Sequence, residues 1–358
     1  VVCGILLHKI KKVYMKLIIV GLTQHPGHFS HIVAFYRMGV KCGFDTSVLT
    51  YADSVKYLPN NVDVIIFGSE LPRIDAALVS APSKDNLALF LKLKFKFNTR
   101  IAMVFHEPLT SYSVYREAGF SKMQMLKLRL GNIYESLLVK IADIILLASQ
   151  KGLSYYDANN SYTNKNREYF PLIFDDEYFQ NERKYVSYIG TVASDHSFNE
   201  FLAYVKWAWK NSKIPGLKFL IATKSNIELD ASFDDMLNDG FLKIVHGKPM
   251  TNEEINGYYA SSLVVWNAYV RTTQSGVLPK AFMFGCPAIV LKKNLSDNTI
   301  TGENVVAVEN NQSCMEIDNA IETIIKNFHH YSDSARKTFL NKYYWGNYSD
   351  QFKRIING

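Results

Sequence analysis

Cysteine is scarce in this chain: four residues in 358, at Cys3, Cys42, Cys286 and Cys314, with no CxxC and no Cys/His spacing. That scatter argues against a zinc module or a disulfide scaffold and points to reduced thiols and a cytoplasmic protein. Long hydrophobic runs are missing as well. None approaches the ~18–20 residues a helix needs to cross a bilayer, so any membrane contact is expected to be peripheral, on the inner face. The opening "VVCGILLHKIKKVY" places a short apolar run before its lysines, the reverse of a signal peptide. Met15 then begins "MKLIIVGLTQ", and residues 1–14 read as an upstream extension or an expression remnant outside the fold. No internal repeat is visible.

Acidic residues are outnumbered, 33 against 40 Lys and Arg, for a net charge of +7. The imbalance is local: Lys84–Leu130 holds nine basic and three acidic residues. No nucleic-acid motif accompanies the excess, so no nucleic-acid partner is expected. A basic and apolar segment suits an anionic membrane face; a solvated basic surface is the plainer reading.

What is present is the material of a packed protein: 48% hydrophobic, 20% charged and 13% aromatic residues. The length exceeds one ordinary core and suits two domains of roughly 150–180 residues. Short β-branched runs alternate with amphipathic stretches. "KLIIVGL", "DTSVLTY", "VDVIIFGS", "RIAMVFHE" and "DIILLAS" predict strands, with helices over 28–43, 85–97 and 120–143 between them. "LKLKFKF" (91–97) within the second of these alternates and fits either a strand or a helix. After a polar stretch the alternation restarts with "KYVSYIGTV", "LKFLIAT", "FLKIVHG", "LVVWNAY", "PAIVLK" and "VVAVEN". Thr251-x-x-Glu254 is a capping box that opens a helix. Such alternation predicts α/β architecture with parallel sheets covered on both faces. The expected divisions are a first domain at 15–170, a linker at 171–183, a second domain at 184–332, and a helical tail at 333–358.

Open parallel sheets bind ligands outside the carboxyl ends of their strands. The polar residues there are the site candidates: Gly27-His28, His106-Glu107, Gly190-Thr191, Lys224, His246-Gly247 and the stretch from Arg271 to Gly276. "RTTQSG" sets a cation, hydroxyls and a glycine before a helix, whose N-terminus is a natural anion site. It could equally be a plain helix cap beside a solvated arginine. His25, His28 and His31 lie close in sequence but have no acidic or Cys partner nearby, so no metal is expected.

"VSYIGTV", "LKFLIAT", "IVHGKPMTNEEINGYYASSLVVWNAY" and "SGVLPKAFMFGCPAIV" follow one another as in the C-terminal half of retaining GT-B glycosyltransferases, the "glycosyl transferases group 1" (family 4-like) enzymes, and "HPGHFSHIVAFYRMGVKCGFDTSVL" resembles their start. The resemblance spans residues 15–350 in layout and is specific over 240–292. It implies two Rossmann-like domains facing across a cleft, the first on the acceptor side and with the helical tail packed back on it. It also implies transfer of a sugar, with retention and without metal or other cofactor, from a nucleotide sugar to a saccharide or lipid-linked saccharide in cell-surface polysaccharide synthesis. By the same resemblance Gly190, Thr191, Lys224, His246, Gly247, Arg271, Thr272, Thr273, Gln274, Ser275, Gly276 and Lys280 would hold the donor. His106 and Glu107 would be catalytic, and Gly27 and His28 would border the cleft. The family's usual Glu-x7-Glu pair falls here on Thr272 and Lys280, and "GTVASDHS" offers Thr191, Ser194 and His196 where the family has an Arg and a Lys. Three other classes stay open: a binding-only homologue, a nucleotide-sugar epimerase on the same fold, and a nucleic-acid-binding protein, which only the basic segment Lys84–Leu130 suggests.

Overall fold

The computed structural model describes residues 14–80, 83–106, 108–117, 119–271 and 276–358. The first half forms one seven-stranded sheet. Its strands are β1 (Lys16–Val20), β2 (Asp45–Thr50), β3 (Val64–Ile66), β4 (Ala76–Val79), β5 (Arg100–Phe105), β6 (Ile144–Leu147) and β7 (Arg167–Tyr169), in spatial order β3-β2-β1-β4-β5-β6-β7. Every pairing is parallel. The second half forms a six-stranded parallel sheet from β8 (Tyr185–Ile189), β9 (Lys218–Ala222), β10 (Leu242–Val245), β11 (Ser262–Asn267), β12 (Ala288–Leu291) and β13 (Val305–Val308), in the order β10-β9-β8-β11-β12-β13.

The central strands are apolar on both faces because helices cover both. β4, β6 and β12 are buried at every position. The two faces of the first sheet carry separate clusters, one around Phe35, Val104 and Phe170 and the other around Phe90, Met103 and Leu147. The helix Ser349–Asn357 inserts Phe352, Ile355 and Ile356 into the first of these clusters, although the chain has by then completed the second sheet. Arg100 Nε donates to the Ile355 carbonyl at 2.9 Å, and Arg354 pairs with Glu168.

Three local expectations change. The run expected at 62–69 pairs as a strand only over Val64–Ile66. β4 escapes the sequence pattern: "AALV" is short and half alanine, yet it sits beside β1 near the middle of the sheet, where burial overrides weak strand propensity. The helical tail expected at 333–358 is two helices, Phe328–Lys342 and Ser349–Asn357, parted at Tyr343–Tyr348, where Phe174 and Tyr344 form an isolated β-bridge. "LKLKFKF" is helical: Asn86–Lys92 continues into a π-helical turn, Leu93–Phe97, which ends at Asn98 with φ 54°.

Candidate functional site

The carboxyl ends of the two sheets face each other across a cavity of about 920 Å³. From the first half come Gly27 and His28 after β1, and His106 after β5. The second half supplies Gly190, Thr191, Asp195 and His196 after β8, and Tyr269, Arg271 and Gly276 after β11. The connecting segment adds Leu172 and Phe174, and the helix Lys122–Ile141 forms a further wall through Gln124, Lys127, Leu128, Gly131 and Glu135.

Local chemistry explains the β8 loop. Gly190 adopts φ 138°, a backbone state side chains disfavour, at the point where the chain leaves the strand. The loop then turns back, and the His196 Nδ1–H donates to the Thr191 carbonyl at 2.7 Å while its ring stacks on Tyr269 at 4.3 Å. Asp195 is buried, and its Oδ2 lies 3.6 Å from Arg271 Nη1. Arg271, only 8% exposed, also stacks over the Tyr115 ring of the other half at 4.6 Å and donates to the Tyr115 hydroxyl at 3.3 Å. Arg271 is therefore a held cation in the cavity wall, not a solvated surface residue.

Histidines gather on the opposite wall. His31 is buried, edge-on to Phe174 at 4.2 Å, and its Nδ1–H donates to the Ile173 carbonyl at 3.0 Å. His106 lies 6.3 Å from it, ring to ring, and donates from Nε2 to the Ser80 carbonyl at 2.7 Å. Burial pushes His31 well below the ordinary imidazole range, and the neighbouring His106, His28 and Lys280 add to this against the opposing Ile173 hydrogen bond. His28 keeps an edge open to the cleft, yet the protein around it, with His106, His25 and Lys224, lowers it to about 4. Both rings are neutral at physiological pH. Among the described residues, no three His, Cys, Asp or Glu side chains converge as a metal site.

Lys280 lines the floor, where Nζ meets Glu177 Oε2 at 2.9 Å, Asn252 Oδ1 at 2.9 Å and Asn256 Oδ1 at 2.8 Å. An ammonium has three protons, and all three are engaged within the protein. Glu177 neutralises the Lys280 charge within the protein. Burial raises the Glu177 carboxyl, but Lys280 and the amides of Asn256 and Asn252 outweigh that and hold it below the usual range. Burial lowers Lys280, and Glu177 restores part of the loss. Glu177 comes from the connecting segment, where nothing in the sequence marks it out, so this carboxylate was missed. Asp195, His31 and Tyr115 were missed as site residues for the same reason: each is ordinary in sequence and acquires its setting only when segments far apart in the chain pack together.

Of the expected residues, Gly27, His28, His106, Gly190, Thr191, Arg271, Gly276 and Lys280 share the cavity wall. Lys224, His246 and Gly247 are not among the residues that line it. Lys224 Nζ reaches across and donates to His25 Nδ1 at 2.7 Å, linking the halves beside the cavity. His246 is exposed at the carboxyl end of β10, whose place at the sheet edge sets it away from the cavity, and Gly247 turns there with φ 78°. Glu107, Thr272, Thr273, Gln274 and Ser275 lie outside the described residues.

No protein-family model matches the chain, and no curated protein matches its sequence. Solved structures do match its fold. The Anabaena protein HepE in complex with UDP and glucose aligns with a TM-score of 0.69 and 11% identity, over 96% of this chain and 100% of that one. Sucrose-phosphate synthase from Thermosynechococcus elongatus aligns with a TM-score of 0.64 and 12% identity, over 96% and 98% of the two chains. An alpha-glucosyltransferase in complex with UDP and a 13-mer DNA gives 0.64 and 13%, over 97% and 100%. The fold is GT-B: two Rossmann-like, parallel-sheet halves facing across a cleft.

Proposed function

We propose that this protein is a glycosyltransferase that moves a sugar from a nucleotide-sugar donor to a saccharide acceptor. The observation that carries the reading is Arg271, a buried cation set in the wall of a 920 Å³ cavity at the carboxyl ends of both sheets. Diphosphate is the leaving group of such a transfer, and a preorganised cation stabilises its developing charge without reorganising. UDP and UDP-glucose in the structural neighbours support a uridine nucleotide as donor. In this reading the Arg271–Gly276 segment holds the diphosphate, with Gly190 and Thr191 opposite it, and the reaction retains configuration without metal. The acceptor takes the wall formed by His28, His106 and the helix Lys122–Ile141. Glycan synthesis is its setting, and a saccharide is preferred over DNA because the chain carries no nucleic-acid motif.

The test is binding and turnover with UDP-glucose. A ligand at 100 times its dissociation constant stabilises a protein by about 2.7 kcal/mol, which a thermal-shift panel of nucleotide sugars detects. Binding with UDP release in the presence of saccharide supports the transferase. Binding without turnover points to a binding-only homologue, and no binding across the panel removes the reading.

The cluster of His28, His31 and His106, in a cavity that Glu135 also lines, favours a second reading, a nucleotide-sugar epimerase. Solvent deuterium entering the sugar of recovered UDP-sugar, with no UDP released to acceptor, would select it.

A further inference from the structure

The helix Lys122–Ile141 starts from a capping box, with the Ser121 amide donating to Gln124 Oε1 at 2.7 Å and the Gln124 amide to Ser121 Oγ at 3.3 Å. One edge lines the cavity. Another carries Met123, Leu126, Leu130, Ile133 and Leu137, each 46–63% exposed. At 3.6 residues per turn their spacing puts all five on one stripe. A soluble surface scatters single apolar residues; a continuous exposed stripe marks an interface. Lys122, Arg129 and Lys140 are spaced seven and eleven residues apart, so they align as a row along the stripe, and the one acidic residue of the helix, Glu135, is on the cavity wall instead. Packed beside this helix, Asn86–Lys92 and its π turn expose Leu91 and Phe95, the latter 87% exposed, between Lys92 and Lys96.

We propose that this face docks on an anionic lipid bilayer and that the acceptor saccharide is therefore carried on a lipid. An apolar stripe edged by cations matches the boundary between acyl chains and anionic headgroups. A second copy of the chain is the rival occupant, but pairing two such stripes would bring like-charged rows together with no acidic row to meet them. Among the described residues no helix is long and apolar enough to cross the bilayer, so the contact lies in the interface plane. Because one helix carries both the stripe and part of the cavity wall, docking brings the cleft to substrates held at the surface. The choice of acceptor rests on the transferase reading; the docking does not.

The test is co-sedimentation of the full chain with phosphatidylglycerol–phosphatidylcholine vesicles and with phosphatidylcholine vesicles, with UDP-glucose binding measured on the same preparations. Expected is pelleting on the anionic vesicles only, weakened by salt. Leu130→Glu with Ile133→Glu abolishes it. Lys122→Gln with Arg129→Gln weakens it by about twenty-five-fold, taking about fivefold per cation. Both pairs are exposed and off the cavity wall, so melting and UDP-glucose binding stay at wild-type values. Absence of pelleting, equal pelleting on neutral vesicles, or full pelleting by both variants overturns the proposal. So does a concentration-dependent dimer that Leu130→Glu dissolves while vesicles stay unbound, which assigns the face to a second copy. Wild type that binds UDP-glucose but no vesicles loses the docking alone; loss of the transferase reading shows separately as absent nucleotide-sugar binding.

Discussion

Arg271 and Tyr115 come from opposite halves of the molecule and stack across the cleft, guanidinium carbon to ring centroid 4.6 Å. Asp195 stands on another side, its Oδ2 3.6 Å from Arg271 Nη1, so the cation is held in place in the cavity wall. Such a group is set to meet a diphosphate. Arg271→Ala is expected to lower UDP-glucose affinity by about ten- to a hundredfold, the worth of a charge-assisted contact. Arg271→Lys recovers only part, because it keeps the charge and loses the planar stack. Isothermal titration decides it; equal affinities in folded proteins would leave Arg271 as a bridge between halves and nothing more.

Gly276 borders the cavity with φ −67°, and a Cβ built there meets nothing within 4 Å. The backbone does not require glycine, so any penalty for a side chain falls on the ligand. Gly276→Val should melt within a degree or so of wild type yet bind UDP-glucose at least tenfold more weakly. A variant that binds normally removes Gly276 from the donor site.

Lys280→Met strands the Glu177 carboxylate. Breaking a fully buried pair costs about 3–5 kcal/mol. The Glu177 side chain is 34% exposed, so water offsets part, and about 2 kcal/mol is expected in urea unfolding. The double variant Lys280→Met/Glu177→Gln should lose at least about 1 kcal/mol less than the sum of the single changes. Strict additivity would mean that the two side chains do not stabilise one another.

Acid should destabilise the fold through its histidines. His31 and His28 are neutral in the folded protein and depressed below the ordinary 6.5, so the unfolded chain binds more protons under that pH. Their contribution is complete above pH 6.5 and is lost as the pH falls toward the depressed folded values, about 4 for His28. Buried His31 adds a slope of up to about 1.4 kcal/mol per pH unit, while His28, exposed at the cleft, adds less because water screens its charge. His31→Asn should flatten the stability profile between pH 6.5 and 4, as followed by urea titrations; an unchanged slope would show that His31 is not responsible.

Gly285 ends the helix Val277–Met283 with φ 62°, and a Cβ there would lie 2.8 Å from Ser332 Oγ and 3.2 Å from the Ser332 carbonyl. The hydroxyl can rotate away, but the backbone cannot. Gly285→Ala is expected to cost about 2 kcal/mol, from left-handed strain plus that contact, measured by chemical denaturation. A loss below about 0.5 kcal/mol would show that the neighbouring helix gives way.

Periodicity and punctuation carried much of this molecule. Alternating "KLIIV", "KFLIA" and "AIVL" with amphipathic stretches is enough to imply parallel sheets, because strands covered on both faces must be apolar throughout. Thr251 and Glu254 announce their own cap, since both partners lie within one helical turn, and the structure forms it. The strand-end rule likewise picks out Gly27, His28, His106, Gly190 and Arg271 without any knowledge of distances.

What tertiary structure alone decided are the pairings between segments far apart in the chain. Tyr115 meets Arg271 only where the two halves face each other, Glu177 of the connecting segment meets Lys280 only when that segment packs on the second half, and His31 meets His106 only within the folded first half. No local pattern encodes these meetings, and the same residues would serve as well on a solvated surface. The exposed stripe of the helix Lys122–Ile141 is the converse case. Its apolar residues were legible as a helix, but whether they faced the core or the solvent depended on which face the sheet and the cleft used, and they took the other. Sequence determines the short-range chemistry of each element; which of its faces is left uncovered is set by the packing of everything else.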